Sequence, residues 1–387
     1  MKTALELVRN NFRQYGMFIA LILIMLLFQL LSDGNLLKPL NITNIILQNS
    51  YILILAIGML LVIITGHIDL SVGSIAAFVG AVSAIMMVQY GMSFPVAMIL
   101  SLLIGAVVGA WQGFWVAYMR IPSFIVTLAG MLLFRGLTML VLDGKSVAPF
   151  PEGFRAISTG FIPDLPGSDG LHLLTILIGV ALSLVYLFME WRARLIEKRY
   201  SLEVLPYSFF ILKLAAVVAI INLLTYVLAT YKGLPNILIM LFVLVAVYTF
   251  VMRKTVMGRH IYALGGNEKA AKLSGVKTKK VTFWVFVNMG VMAALAGLVF
   301  AARLNAATPK AGVNFELDAI AAAFIGGASA SGGVGTVIGA IVGGLVMGVM
   351  NNGMSLIGLG IDYQQGIKGL VLLLAVAFDL YNKNKSA

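Results

Sequence analysis

Nine consecutive residues, Gly66-His67-Ile68-Asp69-Leu70-Ser71-Val72-Gly73-Ser74, set an imidazole, a carboxylate and two hydroxyls between two long apolar runs. An imidazole two residues from a carboxylate suits proton transfer, the hydroxyls suit binding of a polar solute, and Asp69 or Ser71 ahead of an apolar run suits a helix start. Other polar groups stand alone in apolar surroundings: the amides Gln112, Asn288, Asn351 and Asn352, and the guanidinium of Arg135. Trp111 and Trp115 share a helical face at i, i+4. Amides, hydroxyls and aromatic rings are what a neutral sugar needs, and equally what bonds helix to helix or sits at a membrane interface. Arg135, about two turns inside the outer end of its apolar run, either snorkels to the interface or pairs across a bundle. The apolar runs hold few ionisable residues, which argues against a path for ions or organic anions.

Catalysis has little support. There is no cysteine for a disulfide or thiolate site, and His67, His172 and His260 make no metal-ligand spacing. No set of nucleophile, base and metal ligands converges. Lys145-Ser146 follows Gly144, but Met139 stands where a phosphate-binding loop needs its first glycine. The chain is expected to bind no cofactor of its own.

The elements that hold these groups are membrane helices. Of 387 residues, 61% are hydrophobic and 11% charged, with a mean hydropathy of +1.01. The apolar runs of about 20 residues fit helical crossings and lack the alternation of a barrel. The formal net charge of +12 gathers in short loops between runs, the pattern that orients a membrane protein, rather than in a nucleic-acid patch. From a basic N-terminus (Lys2, Arg9, Arg13) retained as a first span, twelve crossings follow with both ends in the cytoplasm. They run through residues 17–31, 42–65, 70–88, 96–117, 124–142, 171–189, 207–229, 234–252 and 281–302, with three more before the basic tail at Lys383 and Lys385. The loop 143–170, with Glu152, Asp164 and Asp169, suits the outer face. The stretch 319–335, rich in Gly, Ala and Ser, suits a full span, a broken helix or a re-entrant segment. Gly335, Gly339 and Gly343 lie on one helical face, with Gly344 and Gly348 beside them, which allows close helix packing.

The basic segment 253–280 contains a short encoded helix. After Gly265-Gly266, Asn267 is a good N-cap, Glu268 complements the helix dipole, and Gly275 stops the helix after Lys269, Ala270, Ala271 and Leu273. About two turns are not stable alone in water. The segment either lies as a basic loop on the lipid surface or docks into a partner's groove.

Five motifs occur in order: Gly66-x-Ile68-Asp69-Leu70-Ser71-Val72-Gly73-Ser74; Ile121-Pro122-Ser123-Phe124-Ile125-Val126-Thr127-Leu128; Tyr262-Ala263-Leu264-Gly265-Gly266-Asn267-Glu268-x-Ala270-Ala271-x-Leu273-Ser274-Gly275; Glu316-Leu317-Asp318-Ala319-Ile320-Ala321-Ala322; and Gly326-Gly327-x-Ser329-x-Ser331-Gly332-Gly333-x-Gly335-Thr336. The set resembles the permease subunits of bacterial ribose/xylose-type monosaccharide ABC importers over nearly the whole chain. The resemblance implies an all-α, multi-pass protein of the bacterial inner membrane, forming one permease domain over residues 1–387. It implies a second permease copy, a cytoplasmic ATPase that holds ATP and magnesium and grips the segment from Gly265 to Gly275, and an external sugar-binding protein. Residues 171–230 look like a two-helix insertion in the usual ten-span core. Gln112-Gly113 stands where the family suggests Asn-Gly. Asp69 and Ser71 become a helix start at a gate, and His67 falls outside what the resemblance requires. The alternatives are the same mechanism with a nucleoside, furanose or branched-chain amino acid as cargo, or a proton-coupled transporter using His67 and Asp69.

Overall fold

The computed structural model describes residues 12–166, 170–200 and 204–386. Lys2, Arg9 and Asp169 lie outside them, as do the side chains of Arg13, Lys383 and Lys385. The described chain is helical, with two isolated antiparallel bridges, Val147 with Ala307 and Phe161 with Pro235. In order the helices are α1 (Phe12–Leu31), α2 (Pro39–Ile64), α3 (Val72–Ala84, extended by a π turn to Gln89), α4 (Phe94–Ala117), α5 (Ser123–Val141), α6 (Glu152–Thr159), α7 (Leu173–Arg199) and α8 (Tyr207–Ala229). There follow α9 (Asn236–Lys254), α10 (Val256–Gly266), α11 (Glu268–Leu273), α12 (Thr278–Leu304), α13 (Phe315–Ile325), α14 (Val337–Leu356) and α15 (Ile361–Ser386). Among the described residues nine helices are long and apolar enough to cross a membrane: α2 to α5, α7 to α9, α12 and α14.

α2, α3, α12 and α14 are buried along most of their length, whereas α4, α5 and α7 to α9 bury only a minority of theirs. Lipid tails are as apolar as leucine, so burial alone does not drive such a bundle; close backbone packing does. An added Cβ on Gly105 would come within 2.5 Å of the Gly290 carbonyl, and one on Gly109 within 2.4 Å of the Phe286 carbonyl, which locks α4 to α12. The glycines of α14 work the same way toward two partners. Gly339 and Gly343 face the carbonyls of Gly326 and Ala322, while Gly344 and Gly348 face Leu53 and Asn49 of α2. α7 and α8 pack mainly on each other at the periphery, joined by Asn222 Nδ2 donating to Ser183 Oγ at 2.8 Å and by Lys213 with Glu190 at 2.8 Å.

The stretch 319–335 is not a full crossing. α13 has eleven residues, about 16 Å, against a bilayer core of about 30 Å. It gives way to a loop in which Gly327, Gly332, Gly333 and Gly335 all have positive φ, a conformation that glycine adopts without a Cβ penalty. The Phe315 ring stacks on Tyr51 at 4.0 Å, and Tyr51 is about the midpoint of the 26-residue α2. α13 therefore begins halfway along its neighbour.

α3 also starts at depth. α2 ends in a Schellman motif at Gly66 (φ +79°), with Gly66 N–H bonded to Ile63 O and His67 N–H to Val62 O. The link then climbs beside α5, where Thr127 Oγ1 donates to the Ile68 carbonyl. Gly73, in the first turn of α3, meets the link that leads into α13. A Cβ there would lie 2.1 Å from the Gly312 carbonyl, and one on Gly312 would lie 1.9 Å from the Gly73 carbonyl. Two interrupted helices thus begin against each other inside the bundle.

Candidate functional site

The segment read as a docking helix forms as encoded. Asn267 Oδ1 accepts the Ala270 amide at 2.9 Å, and Gly275 (φ +87°) closes a Schellman motif, with Val276 N–H on Ala271 O and Gly275 N–H on Lys272 O. Glu268, Lys269, Ala270 and Leu273 face outward, and Leu273 is 89% exposed. Ala271 is buried instead, so it seats α11 on its own chain and does not reach a partner. A charge at Ala271 would disturb folding as well as docking.

Behind α11, α10 is fixed to the core through backbone. A Cβ on Gly265 would fall 1.6 Å from the Ile64 carbonyl and 2.6 Å from the Gly333 amide. Gly333 N–H itself donates to Ile64 O at 2.9 Å, and Tyr262 Oη donates to the Gly335 carbonyl at 2.7 Å. The end of α2, the turn between α10 and α11, and the loop entering α14 are one rigid junction. His67 lies near Glu268 at this junction; burial pushes its imidazole below the usual range while the Glu268 charge opposes the shift. It makes no hydrogen bond to Asp69.

At the start of α3, Asp69 Oδ1 accepts both the Ser71 amide (2.9 Å) and the Ser71 hydroxyl (2.5 Å), and Gln112 Nε2 donates to Ser71 Oγ at 2.6 Å. All three residues are buried. Gly130 makes room for the amide, since a Cβ there would lie 2.6 Å from Gln112 Nε2. The expected cap takes a different form. Asp69 closes an Asx turn, and Ser71 stands at the N-cap without a side-chain cap bond.

The remaining sequence candidates separate. Arg135 turns into the bundle and does not snorkel: its Nη2 is buried and its charge acts on Glu316. Asn288 accepts a hydrogen bond from Tyr248 Oη. Asn351 neighbours Asp318, and Asn352 exchanges amide hydrogen bonds with Asn41 at 2.9 and 3.0 Å. That last pair is helix packing. Asn352→Leu alone is expected to cost about 1–3 kcal/mol in thermal unfolding by stranding the Asn41 amide, and the double variant Asn41→Leu/Asn352→Leu much less. Trp111 and Trp115 are partly exposed on the outer surface of α4 and form no platform beside Asp69.

The expectation of few charges at depth fails. Glu316 and Asp318 occupy the first turn of α13, both buried, and Lys368 of α15 pairs with Asp318 at 3.0 Å. Their signal was the unbalanced pair Glu316-x-Asp318 ahead of an apolar run. Local sequence does not place the pair at depth, because the return of the chain to Gly73 is a long-range contact.

The family described as branched-chain amino acid transport system / permease component matches residues 41–376. The chain belongs to this permease family. The permease is 42% identical over 375 residues to the xylose transport system permease protein XylH of Haemophilus influenzae, covering 97% of this chain and 98% of that one. It is 40% identical to XylH of Escherichia coli K12, covering 97% and 94%. It is 35% identical to the ribose import permease protein RbsC of Haemophilus influenzae, covering 94% and 92%. No solved structure matches it. The permease is a multi-pass protein of the bacterial inner membrane, similar to permeases named for xylose transport and ribose import.

Proposed function

We propose that the permease forms the translocation path of an ATP-driven monosaccharide importer, with xylose the first sugar to test. The observation that carries the mechanism is α11, a helix of six residues capped at both ends, seated through Ala271 and presenting the exposed Leu273 on a rigid junction. An isolated helix this short has no stability of its own, and an apolar tip held on a rigid base suits a groove on a cytoplasmic ATPase. That ATPase holds ATP and magnesium, an external binding protein delivers sugar, and a second permease copy completes the path. Closure of the ATPases pushes Gly265 to Gly275; the push reaches Ile64 and the 326–335 loop through backbone contacts, and from there the interrupted starts of α3 and α13. In this reading residues 253–280 are the cytoplasmic coupling loop of a single permease domain with both termini inside. Asp69, Ser71, Gln112 and Arg135 act as gate residues, Asn288 and Asn351 are further candidates for the path, and residues 171–230 are a peripheral two-helix insertion.

The relatives support a sugar as the cargo. The xylose and ribose permeases match nearly end to end, which favours a sugar over the branched-chain amino acids of the family description. Leu273→Asp and Glu268→Arg are the test of coupling. Each is expected to reduce sugar-stimulated ATP hydrolysis of the reconstituted complex by at least about tenfold, as loss of a central contact does, with the melting temperature of the isolated permease unchanged. Full hydrolysis in both variants would remove α11 from the ATPase interface.

A further inference from the structure

Three charged groups around the junction of α3 and α13 each have a buried atom with no hydrogen-bond partner among the described residues, Oδ2 of Asp69, Nη2 of Arg135 and Oε2 of Glu316, and the Ser74 hydroxyl beside them has none either. The three charged groups come from three separate elements, the 65–71 link, α5 and α13. Asp69 is fully buried and Glu316 is 7% exposed. Arg135 and Asp69 are both among the charges acting on Glu316. The Glu316 oxygen hangs over Gly73, where a Cβ would lie 2.5 Å from it. Buried polar groups are paired almost everywhere in folded proteins, and unpaired charged groups gathered around one junction call for a partner. The other oxygen of Asp69 is already fixed by Ser71, and Ser71 by Gln112, so the free oxygen has a set direction.

We propose that Asp69, Arg135 and Glu316 hydrogen-bond the hydroxyls of the transported monosaccharide as it passes the two helix starts. Hydrogen-bond chemistry fits the ligand class of that reading: a sugar hydroxyl both donates to a carboxylate and accepts from Arg135. A neutral polyol satisfies all three atoms. The assignment rests on the monosaccharide reading and adds to it the residues that discriminate hydroxyls.

The test uses the full complex in proteoliposomes at saturating sugar, with uptake of xylose compared with each singly deoxygenated xylose. Permease variants Glu316→Gln, Arg135→Lys and Asp69→Asn share one binding protein and one ATPase, so the preference of the binding protein cancels in the comparison. A site that bonds a hydroxyl loses its preference for that hydroxyl when the partner changes. The preference for xylose over at least one analogue is expected to fall about tenfold in at least one variant. Unchanged preference ratios in every variant that assembles, alongside normal wild-type uptake, would overturn the site and leave the cargo standing. A set in which no variant assembles would make the three residues structural and overturn it too. Wild-type complex that imports no monosaccharide would defeat the cargo reading and the site with it.

Discussion

Gly265→Ala is expected to reduce ATP-driven uptake by more than about tenfold and to destabilise the permease by more than about 3 kcal/mol, beyond the usual range for overpacking. The added methyl would meet the Ile64 carbonyl oxygen at 1.6 Å and the Gly333 amide at 2.6 Å. Both are backbone atoms, with no rotamer by which to move aside. α10 would have to lift away from α2, breaking the registry of the Tyr262 bond to the Gly335 carbonyl. The neighbouring glycine is the control. A Cβ on Gly266 meets nothing within 4 Å, so Gly266→Ala is expected to leave the melting temperature unchanged. Differential scanning fluorimetry in detergent, with uptake measured beside it, separates the two. Equal melting temperatures for Gly265→Ala and wild type would show that the junction yields and cannot transmit a push.

Lys368→Met is the second large effect, with an expected loss of about 3–5 kcal/mol. The substitution keeps most of the apolar stem but strands the Asp318 carboxylate, which is 3% exposed and pairs with the Lys368 ammonium at 3.0 Å. Tyr51 and Asn351 remain beside it as hydrogen-bonding neighbours, but neither carries a compensating positive charge. A lone buried carboxylate is far costlier than the pair is favourable. The double variant Lys368→Met/Asp318→Asn is therefore expected to recover most of the loss. Equal melting temperatures for the single and double variants would mean that Asp318 is solvated or otherwise neutralised.

The features legible in the sequence are those that local chemistry decides. The short helix between Asn267 and Gly275 follows from one N-cap, one first-turn acid and one glycine in the left-handed region, and the structure forms it as encoded. Most of the long apolar runs likewise become helices near their expected limits, but the run expected over 171–189 continues as helix to Arg199. What depends on the return path of the chain was not legible. Residues 305–314 lead back to Gly73 through backbone contact, and that contact turns Glu316 and Asp318 from loop acids into buried charges. The same contact starts α13 partway along α2, which decides among the full span, broken helix and re-entrant segment that its composition allows. Asn352 and Asn351 are adjacent in sequence with the same amide, yet one pairs with Asn41 and the other faces Asp318. Only the rotation of α14, set by Gly339 and Gly343 against α13, distinguishes them. Ala271 shows the same limit on a short helix, where the face turned inward is chosen by packing that the sequence motif does not display.

Uptake of labelled xylose into proteoliposomes, with the permease, ATPase and binding protein present together, tests the central claim most directly. Accumulation that requires ATP inside the ATPase-facing compartment, requires the loaded binding protein and is lost in Leu273→Asp is the predicted result. Accumulation by the permease alone, driven by a pH gradient and indifferent to ATP, would contradict it.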